Sequence, residues 1–249
     1  MTTAPTLPLP PADLLDGASL FLDFDGTLVE IAPRPDAVEV SDRLHHLLTR
    51  LASQMPGRLA VISGRSIAQI EGFLGPLPIH ISGSHGLEIR RADGSTQVPT
   101  RPPSLDRIFQ RFHEEAALRP GLIVEEKPFS AALHYRLVPD AEQAVQTLVR
   151  DLANETGLHI QPGKMMVELR PAGSDKGMAL RTLMEQAPMT GTRPVFVGDD
   201  DTDEPAMAAA ADLGGAGILV GTPRQTEARY GLDGVAAVLD WLEAALLPA

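Results

Sequence analysis

The chain has 249 residues, a net charge of −12, 43% hydrophobic residues and 4% aromatic residues. The negative charge and the few aromatic side chains argue against nucleic acid or an anionic membrane as the main partner, because both require basic surfaces. Cysteine is absent, which excludes disulfides, thiolate zinc sites and a cysteine nucleophile.

Neither a membrane-spanning helix nor a secretory signal is indicated by the sequence. The longest stretch without Asp, Glu, Lys or Arg is 72–87, which contains two His and two Pro and is shorter than the ~20 apolar residues of a spanning helix. The N-terminus has no basic segment ahead of an apolar one. We therefore expect a cytoplasmic, monomeric protein that acts on a small molecule and binds neither nucleic acid nor membrane.

Short apolar runs alternate with amphipathic segments in the first ninety residues. Continuous apolar runs are typical of buried parallel strands, and apolar residues at helical spacing indicate a helix with one buried face. The predicted elements are strand 19–24, helix 38–53, strand 58–63, helix 66–74 and extended segments at 79–82 and 86–90, before a hairpin turn at 93–94.

The character of the chain changes at Pro99, Pro102 and Pro103, which indicate a linker. The elements predicted after it are helix 104–118, strands 121–126 and 130–137, helix 140–155 and strands 158–161 and 165–170. Pro171 and Gly173 close this block. We therefore predict a separate α/β domain inserted over 102–171.

The remaining elements return to the first pattern. They are helix 175–186, strand 193–198, helix 203–211, strand 217–220 and helix 234–247. The outer segments thus follow the order β-α-β-α and then α-β-α-β-α, which is typical of a doubly wound, Rossmann-like parallel sheet. We predict an α/β core formed by 1–101 and 172–249.

Two groups of acidic residues follow predicted strands, where open α/β sheets bind their ligands. Asp23 and Asp25, in Asp23-Phe24-Asp25-Gly26-Thr27, are either a catalytic pair or two solvated acids in a strand-end turn. Gly198-Asp199-Asp200-Asp201-Thr202-Asp203 holds four acids in six residues. Such crowding raises carboxyl pKa values unless a cation is present, and oxygen ligands favour Mg²⁺ over zinc. Alternatively, these acids cap a helix N-terminus.

Two further segments supply a hydroxyl and a cation. Ser63-Gly64-Arg65 follows the second strand and is either a phosphate cradle at a helix start or an ordinary turn. Ser174-Asp175-Lys176-Gly177 opens a helix, with Lys176 either a fixed positive charge or a surface residue. Together, the four segments contain the groups that phosphoryl transfer through an aspartyl-phosphate requires.

The segments DFDGT, SGR, DKG and GDDDTD resemble, in this order, the four motifs of the haloacid dehalogenase superfamily. The resemblance spans residues 19–245 and implies a cap domain inserted between the second and third motifs. It implies that Asp23 is the nucleophile and a Mg²⁺ ligand. It also implies that Asp25 protonates the leaving group, activates water and binds the metal through its backbone carbonyl. Asp199 is then the third protein ligand, and Asp203 supports the metal site from outside the ligand shell.

The same resemblance assigns the phosphoryl oxygens to Ser63 and Lys176, with Gly64 and Arg65 as neighbouring substrate-binding residues. Within the superfamily, the chain resembles the trehalose-phosphatases at 82–86 with Glu88, 125–127, 134–136, 163–164 and 168–171. This implies trehalose 6-phosphate as the substrate.

The resemblance further implies that Glu125, Lys127 and Glu168 hydrogen-bond the sugar hydroxyls, and that His85 orients the substrate or the cap. The alternative for the three cap residues is a salt-bridge network on a sheet face, and His134 is interpreted as a packing residue.

Two other functions stay open. One is a related phosphatase or phosphomutase acting on sucrose, mannosylglycerate or hexose phosphates. The other is a catalytically silent sugar-phosphate sensor, which the complete set of chemical residues disfavours.

Overall fold

The computed structural model describes residues 7–32, 34 and 37–246, and the chain divides into two compact units. The first unit comprises Met1–Gln97 and Ser174–Ala249, and the second is Val98–Gly173. The unit boundaries thus lie at 97/98 and 173/174, where the sequence predicted 101/102 and 171/172. The expectations for residues 1–6 and for the last helix at 247 lie outside the described residues.

An eight-stranded sheet runs through the described part of the first unit, in the order β12-β11-β10-β1-β2-β3-β4-β5. Its strands are β1 (Ala18–Leu22), β2 (Leu59–Ile62), β3 (His80–Gly83), β4 (Glu88–Arg90), β5 (Thr96–Gln97), β10 (Arg193–Gly198), β11 (Ala216–Val220) and β12 (Tyr230–Leu232). The strands from β12 to β3 are parallel, whereas β4 and β5 add an antiparallel edge. The predicted α/β fold is confirmed, but the sheet is mixed, and the sequence did not predict β12.

Helices cover both faces of this sheet. They are α1 (Asp42–Gln54), α2 (Ile67–Leu74), α5 (Lys176–Met184), α6 (Glu204–Asp212) and α7 (Val235–Ala245). Alternation along β1 explains the two layers: Leu20 and Leu22 join the core with α1, α2 and α7, and Phe21 joins the core with α5 and α6. Helix α1 starts later than predicted because the Ser41 hydroxyl accepts a hydrogen bond from the Leu44 amide and caps it. Among the described residues, no helix has both the length and the apolar character that crossing a bilayer requires.

The second unit is a four-stranded antiparallel sheet with two helices on one face. Its elements are α3 (Leu105–Leu118), β6 (Ile123–Glu126), β7 (Ala131–His134), α4 (Glu142–Thr156), β8 (His159–Gly163) and β9 (Met166–Arg170). The strand order is β6-β7-β9-β8. Leu133 and Leu169 face the helices and pack with Phe112 and Val149. The residues that alternate with them form a polar face on the other side of the sheet.

Candidate active site

Three of the four motifs follow strands that are adjacent in the middle of the sheet. Asp199, Asp23 and Ser63 are the first residues after β10, β1 and β2, which lie side by side and run parallel. Their carboxyl ends therefore meet at one edge, the place where ligands bind in sheets of this kind. Lys176, from the fourth motif, is the first residue of α5.

Lys176 joins two buried carboxylates. Its Nζ donates to Asp23 Oδ1 and to Asp203 Oδ1, both at 2.7 Å. All three side chains are at most 5% exposed. A buried charge requires a partner of opposite sign, and the ammonium supplies one to both acids. The structure thus places a fixed cation directly beside the predicted nucleophile.

Burial and the neighbouring charges shift the pKa values of Asp23, Lys176 and Asp203. Burial, followed by the charge of Asp203, raises the pKa of Asp23 well above its usual value, against the opposing effect of Lys176. Burial alone would lower the pKa of Lys176, but Asp203 and Asp23 outweigh it and raise that pKa. Burial also raises the pKa of Asp203 to about 6, although Lys176 opposes this shift. One ammonium is therefore not sufficient to offset the crowded acids.

The carboxylates of Asp23, Asp199 and Asp203 could hold a divalent cation. Each offers an oxygen, and the three oxygens lie within 4.8 Å of one another. Asp203 already has several partners, since its Oδ1 contacts Lys176 and its Oδ2 accepts from the amides of Asp199 and Asp200 at 2.9 and 3.0 Å. The donor set fits a hard divalent cation held by Asp23 and Asp199, with Asp203 fixing the loop that carries Asp199.

Gly26 allows the first motif to approach Asp199. Its φ of +85° lies in the left-handed region that favours glycine. A Cβ added at this position would lie 2.3 Å from Asp199 Oδ2, so any larger residue would push the two loops apart.

Asp25 is held by Arg65. The guanidinium binds it through two hydrogen bonds, from Nε to Oδ2 at 2.6 Å and from Nη2 to Oδ1 at 2.7 Å. Arg65 also lies over the rings of Phe24 and Phe73, at 5.8 and 5.0 Å from their centres. The side chain of Asp25 is thus directed to Arg65, and it is not one of the three carboxylates that lie together at the strand ends. Metal binding by its backbone carbonyl stays a prediction.

The loop that contains Ser63 is fixed by its neighbours. The Ser63 amide donates to the Ser82 carbonyl at 2.9 Å, and the Ser63 carbonyl accepts from the His85 amide at 3.0 Å. Its hydroxyl accepts from the Arg65 amide at 3.1 Å. A Cβ on Gly64 would lie 2.6 Å from the His85 ring, so Gly64 is required for this close contact. The structure therefore brings His85 directly against the predicted phosphate cradle.

The three predicted sugar-binding residues lie on the polar face of the second unit. Strand register aligns Glu125 and Glu168 with Ala132 between them, so both carboxylates project from one face. Lys127 Nζ donates to Glu168 Oε2 at 2.8 Å, with both side chains buried. His134 Nε2 lies 2.9 Å from Glu125 Oε2. His134 therefore does more than pack, and strand alternation, which puts it on the same face, could have indicated this contact.

Sequence reasoning missed the support of the acidic loop by Arg224. This residue, in the loop after β11, donates from Nη2 to the Asp200 carbonyl at 2.8 Å and pairs with Glu204. Glu204 Oε2 also accepts from the Thr226 hydroxyl and the Glu227 amide. No local motif marks these residues, because the contact depends on how two distant loops meet at the sheet edge.

The doubly wound core has three of the four motifs at the carboxyl ends of its strands and the fourth at the start of α5, as the resemblance to the haloacid dehalogenase superfamily implies. The solved structure of a haloacid dehalogenase-like hydrolase from Bacteroides thetaiotaomicron has this fold, with a TM-score of 0.62 at 19% identity over 90% of this chain and 97% of that one.

The sequence profile of the trehalose-phosphatase family matches residues 21–235. The chain therefore belongs to the trehalose-phosphatase family, whose members are phosphoric monoester hydrolases. It is 40% identical to the trehalose-6-phosphate phosphatase of Escherichia coli over 90% of this chain and 84% of that protein. It is 36% identical to a probable trehalose-phosphate phosphatase of Sinorhizobium fredii, over 84% and 80%. The trehalose-6-phosphate phosphatase C-terminal domain of C. albicans superposes with a TM-score of 0.84 at 25% identity, covering 98% and 99%.

Proposed function

We propose that the chain hydrolyses trehalose 6-phosphate to trehalose and phosphate. The reaction depends on Mg²⁺ and passes through an intermediate in which Asp23 is phosphorylated. The observation that carries the proposal is the buried Lys176 ammonium, 2.7 Å from Asp23 and from Asp203. A cation at that distance keeps the nucleophile in position and attracts the phosphoryl group that must approach it. The names of the family and of the relatives support the choice of substrate.

In the first half of the reaction, a carboxylate oxygen of Asp23 attacks phosphorus and the bond to the sugar oxygen breaks. Protonated Asp25 gives its proton to that oxygen, so trehalose leaves as a neutral alcohol. The resulting Asp25 carboxylate is stabilised by the two hydrogen bonds from Arg65. Ser63 and Lys176 hold the phosphoryl oxygens during the transfer.

In the second half, water attacks phosphorus and the bond to Asp23 breaks. Asp25, now a carboxylate, takes the proton from water, and phosphate leaves with Asp23 restored. Mg²⁺, when bound, neutralises the charge of the phosphoryl group. Asp23, Asp199 and the backbone carbonyl of Asp25 would hold it, while Asp203 keeps the loop in place.

The second unit, Val98–Gly173, serves in this proposal as the cap that selects the sugar. Carboxylates accept hydrogen bonds from neighbouring hydroxyls and an ammonium donates to them. Glu125, Lys127 and Glu168 therefore suit a neutral disaccharide. In the first unit, His85 is proposed as a further substrate-binding residue. We further propose that the enzyme acts as a cytoplasmic monomer.

Phosphate release tests this function directly. The purified protein is assayed with trehalose 6-phosphate, sucrose 6-phosphate, glucose 6-phosphate and an aryl phosphate, each with Mg²⁺ and with EDTA. We expect strong preference for trehalose 6-phosphate and no release in EDTA. Preference for another sugar phosphate would contradict the substrate assignment, and release unaffected by EDTA would contradict the metal. No release from any ester would favour the silent sensor.

A further inference from the structure

Ser84–Gly86 is a turn of three residues in the left-handed region of backbone conformation. Ser84, His85 and Gly86 have φ values of 51°, 56° and 91°. This region is unfavourable for residues other than glycine, because Cβ approaches the neighbouring carbonyl. Two such residues in succession persist only when the surrounding structure holds them, a situation that is concentrated at functional sites.

The turn contacts both segments that would hold the phosphoryl oxygens. On one side, the amides of Ser84 and His85 donate to the carbonyls of Arg65 and Ser63, at 2.8 and 3.0 Å. On the other, the His85 carbonyl accepts from the Ser174 hydroxyl at 3.1 Å, two residues before Lys176. A single short turn therefore contacts both the Ser63 loop and the segment just before α5.

Gly86 brings the turn close to α5. A Cβ at this position would lie 2.7 Å from the Asp175 carbonyl and 2.8 Å from the Ser174 hydroxyl. The turn thus packs closely against the two residues that precede Lys176.

Glu88 holds the turn in place through a hydrogen bond to Ser84. It is 5% exposed, and its Oε1 accepts from the Ser84 hydroxyl at 2.8 Å and from the Ile67 amide at 3.2 Å. Ile67 is the first residue of α2, where backbone amides have no partner within the helix. One buried carboxylate oxygen therefore joins the strained turn to the helix that follows the Ser63 loop. The proposed reaction makes no other use of this charge.

We propose that Glu88 is a positioning residue that, through the turn Ser84–Gly86, fixes the distance between Ser63 and Lys176. This rests on the proposed function, which assigns the phosphoryl oxygens to those two side chains. Removing the carboxylate leaves the Ser84 hydroxyl and the Ile67 amide without their acceptor, and the left-handed turn relaxes. A misplacement of about 1 Å at a reacting group can lower a rate by about 100-fold.

The test compares Glu88→Ala and Glu88→Gln with Glu71→Ala as a matched control. Glu71 lies on α2, is 42% exposed at its side chain and pairs with Arg90 away from the turn. We expect Glu88→Ala to lower kcat by about 100-fold on both trehalose 6-phosphate and an aryl phosphate, because the phosphoryl end is common to both. Glu88→Gln keeps an acceptor oxygen and should restore most of that rate. Glu71→Ala should behave as the unmodified chain.

Two readouts separate positioning from stability alone. The inhibition constant of inorganic phosphate should rise in Glu88→Ala, measured well below the Tm of the variant. If Glu88→Ala does not fold, Ser84→Ala replaces it in the test, because it removes one of the two donors to Glu88. Ser84→Ala must then show smaller losses in both kcat and phosphate affinity. Wild-type kcat and phosphate affinity in a folded Glu88→Ala would overturn the proposal, as would a loss confined to the sugar phosphate. An unmodified chain inactive on every ester would instead overturn the proposed function.

Discussion

The acidic site of the first unit and the polar face of the second unit handle charge in opposite ways. In the first, Lys176 binds Asp23 and Asp203, and Asp199 lies close to both acids, so acids outnumber bases. In the second, Glu168 and Glu125 each have a basic side chain as partner, Lys127 and His134 respectively. An excess of negative charge favours a further cation, whereas the paired side chains of the second unit can accept from and donate to neutral hydroxyls. This difference supports the proposal that phosphoryl chemistry belongs to the first unit and sugar selection to the second.

The largest expected effect is on the nucleophile. Asp23→Asn should lower kcat for every phosphate ester by about 10⁴-fold or more, because no covalent intermediate can form while the shape is kept. Asp212→Asn, an exposed acid paired with Arg181, is the control and should leave kcat unchanged. Steady-state kinetics on folded variants provides the measurement. Activity of Asp23→Asn near that of the control would contradict the mechanism.

Lys176→Met tests whether the first site carries an excess of negative charge. Removing one partner of a buried pair typically costs about 3–5 kcal/mol, and here two carboxylates lose their cation. We expect a loss of that size in the free energy of urea unfolding in EDTA, and a smaller loss with Mg²⁺ present. Arg181→Met removes an exposed ion pair and should cost less than about 1 kcal/mol. Equal losses in the two variants would show that the buried lysine is not needed for stability.

Glu168→Gln tests whether the polar face of the second unit binds the sugar. The change removes the charge that pairs with Lys127 and weakens acceptance from sugar hydroxyls. A hydrogen bond to a charged group is worth about 1.5–3 kcal/mol, so kcat/KM for trehalose 6-phosphate should fall by roughly 10–100-fold. The aryl phosphate should be almost unaffected. Glu126→Gln, on β6 of the same sheet but exposed and paired with His113, is the control. Equal losses on both substrates would remove the sugar-binding role.

The smallest effect concerns His80, which belongs to neither site. Burial lowers the pKa of this residue, against the hydrogen bond to the Gly57 carbonyl. The unfolded chain therefore takes up the proton first as the pH falls below about 6.5, so this stability is present above that pH and is lost below it. His80→Gln keeps a donor for Gly57 without titrating. Urea unfolding from about pH 7.5 to about pH 5.5 should show a flatter profile for the variant. Profiles of equal slope would contradict the shift.

Periodicity and the order of the motifs predicted most of the fold and the principal residues of the first site. Apolar runs located the strands, and parallel strands had to bring Asp23, Ser63 and Asp199 to one edge. The edge strand β12 was missed because three residues carry too little periodicity to be recognised. The contacts of Arg65 with Asp25 and of Glu88 with Ser84 were also beyond the sequence. They depend on how side chains from separate loops meet, which no local spacing encodes.

The most direct test of the central claim is to trap the phosphorylated chain. The unmodified chain and Asp25→Asn are mixed with phosphate-labelled trehalose 6-phosphate and Mg²⁺, quenched in acid and analysed by peptide mass spectrometry. We predict one phosphoryl group on Asp23 and none in Asp23→Asn treated in the same way. In Asp25→Asn, which loses both the proton donor of the first half and the base of the second, the label on Asp23 should form more slowly and be lost more slowly. Label on another residue, or phosphate released in a burst from a chain that carries no label, would contradict the assignment of Asp23 as the nucleophile.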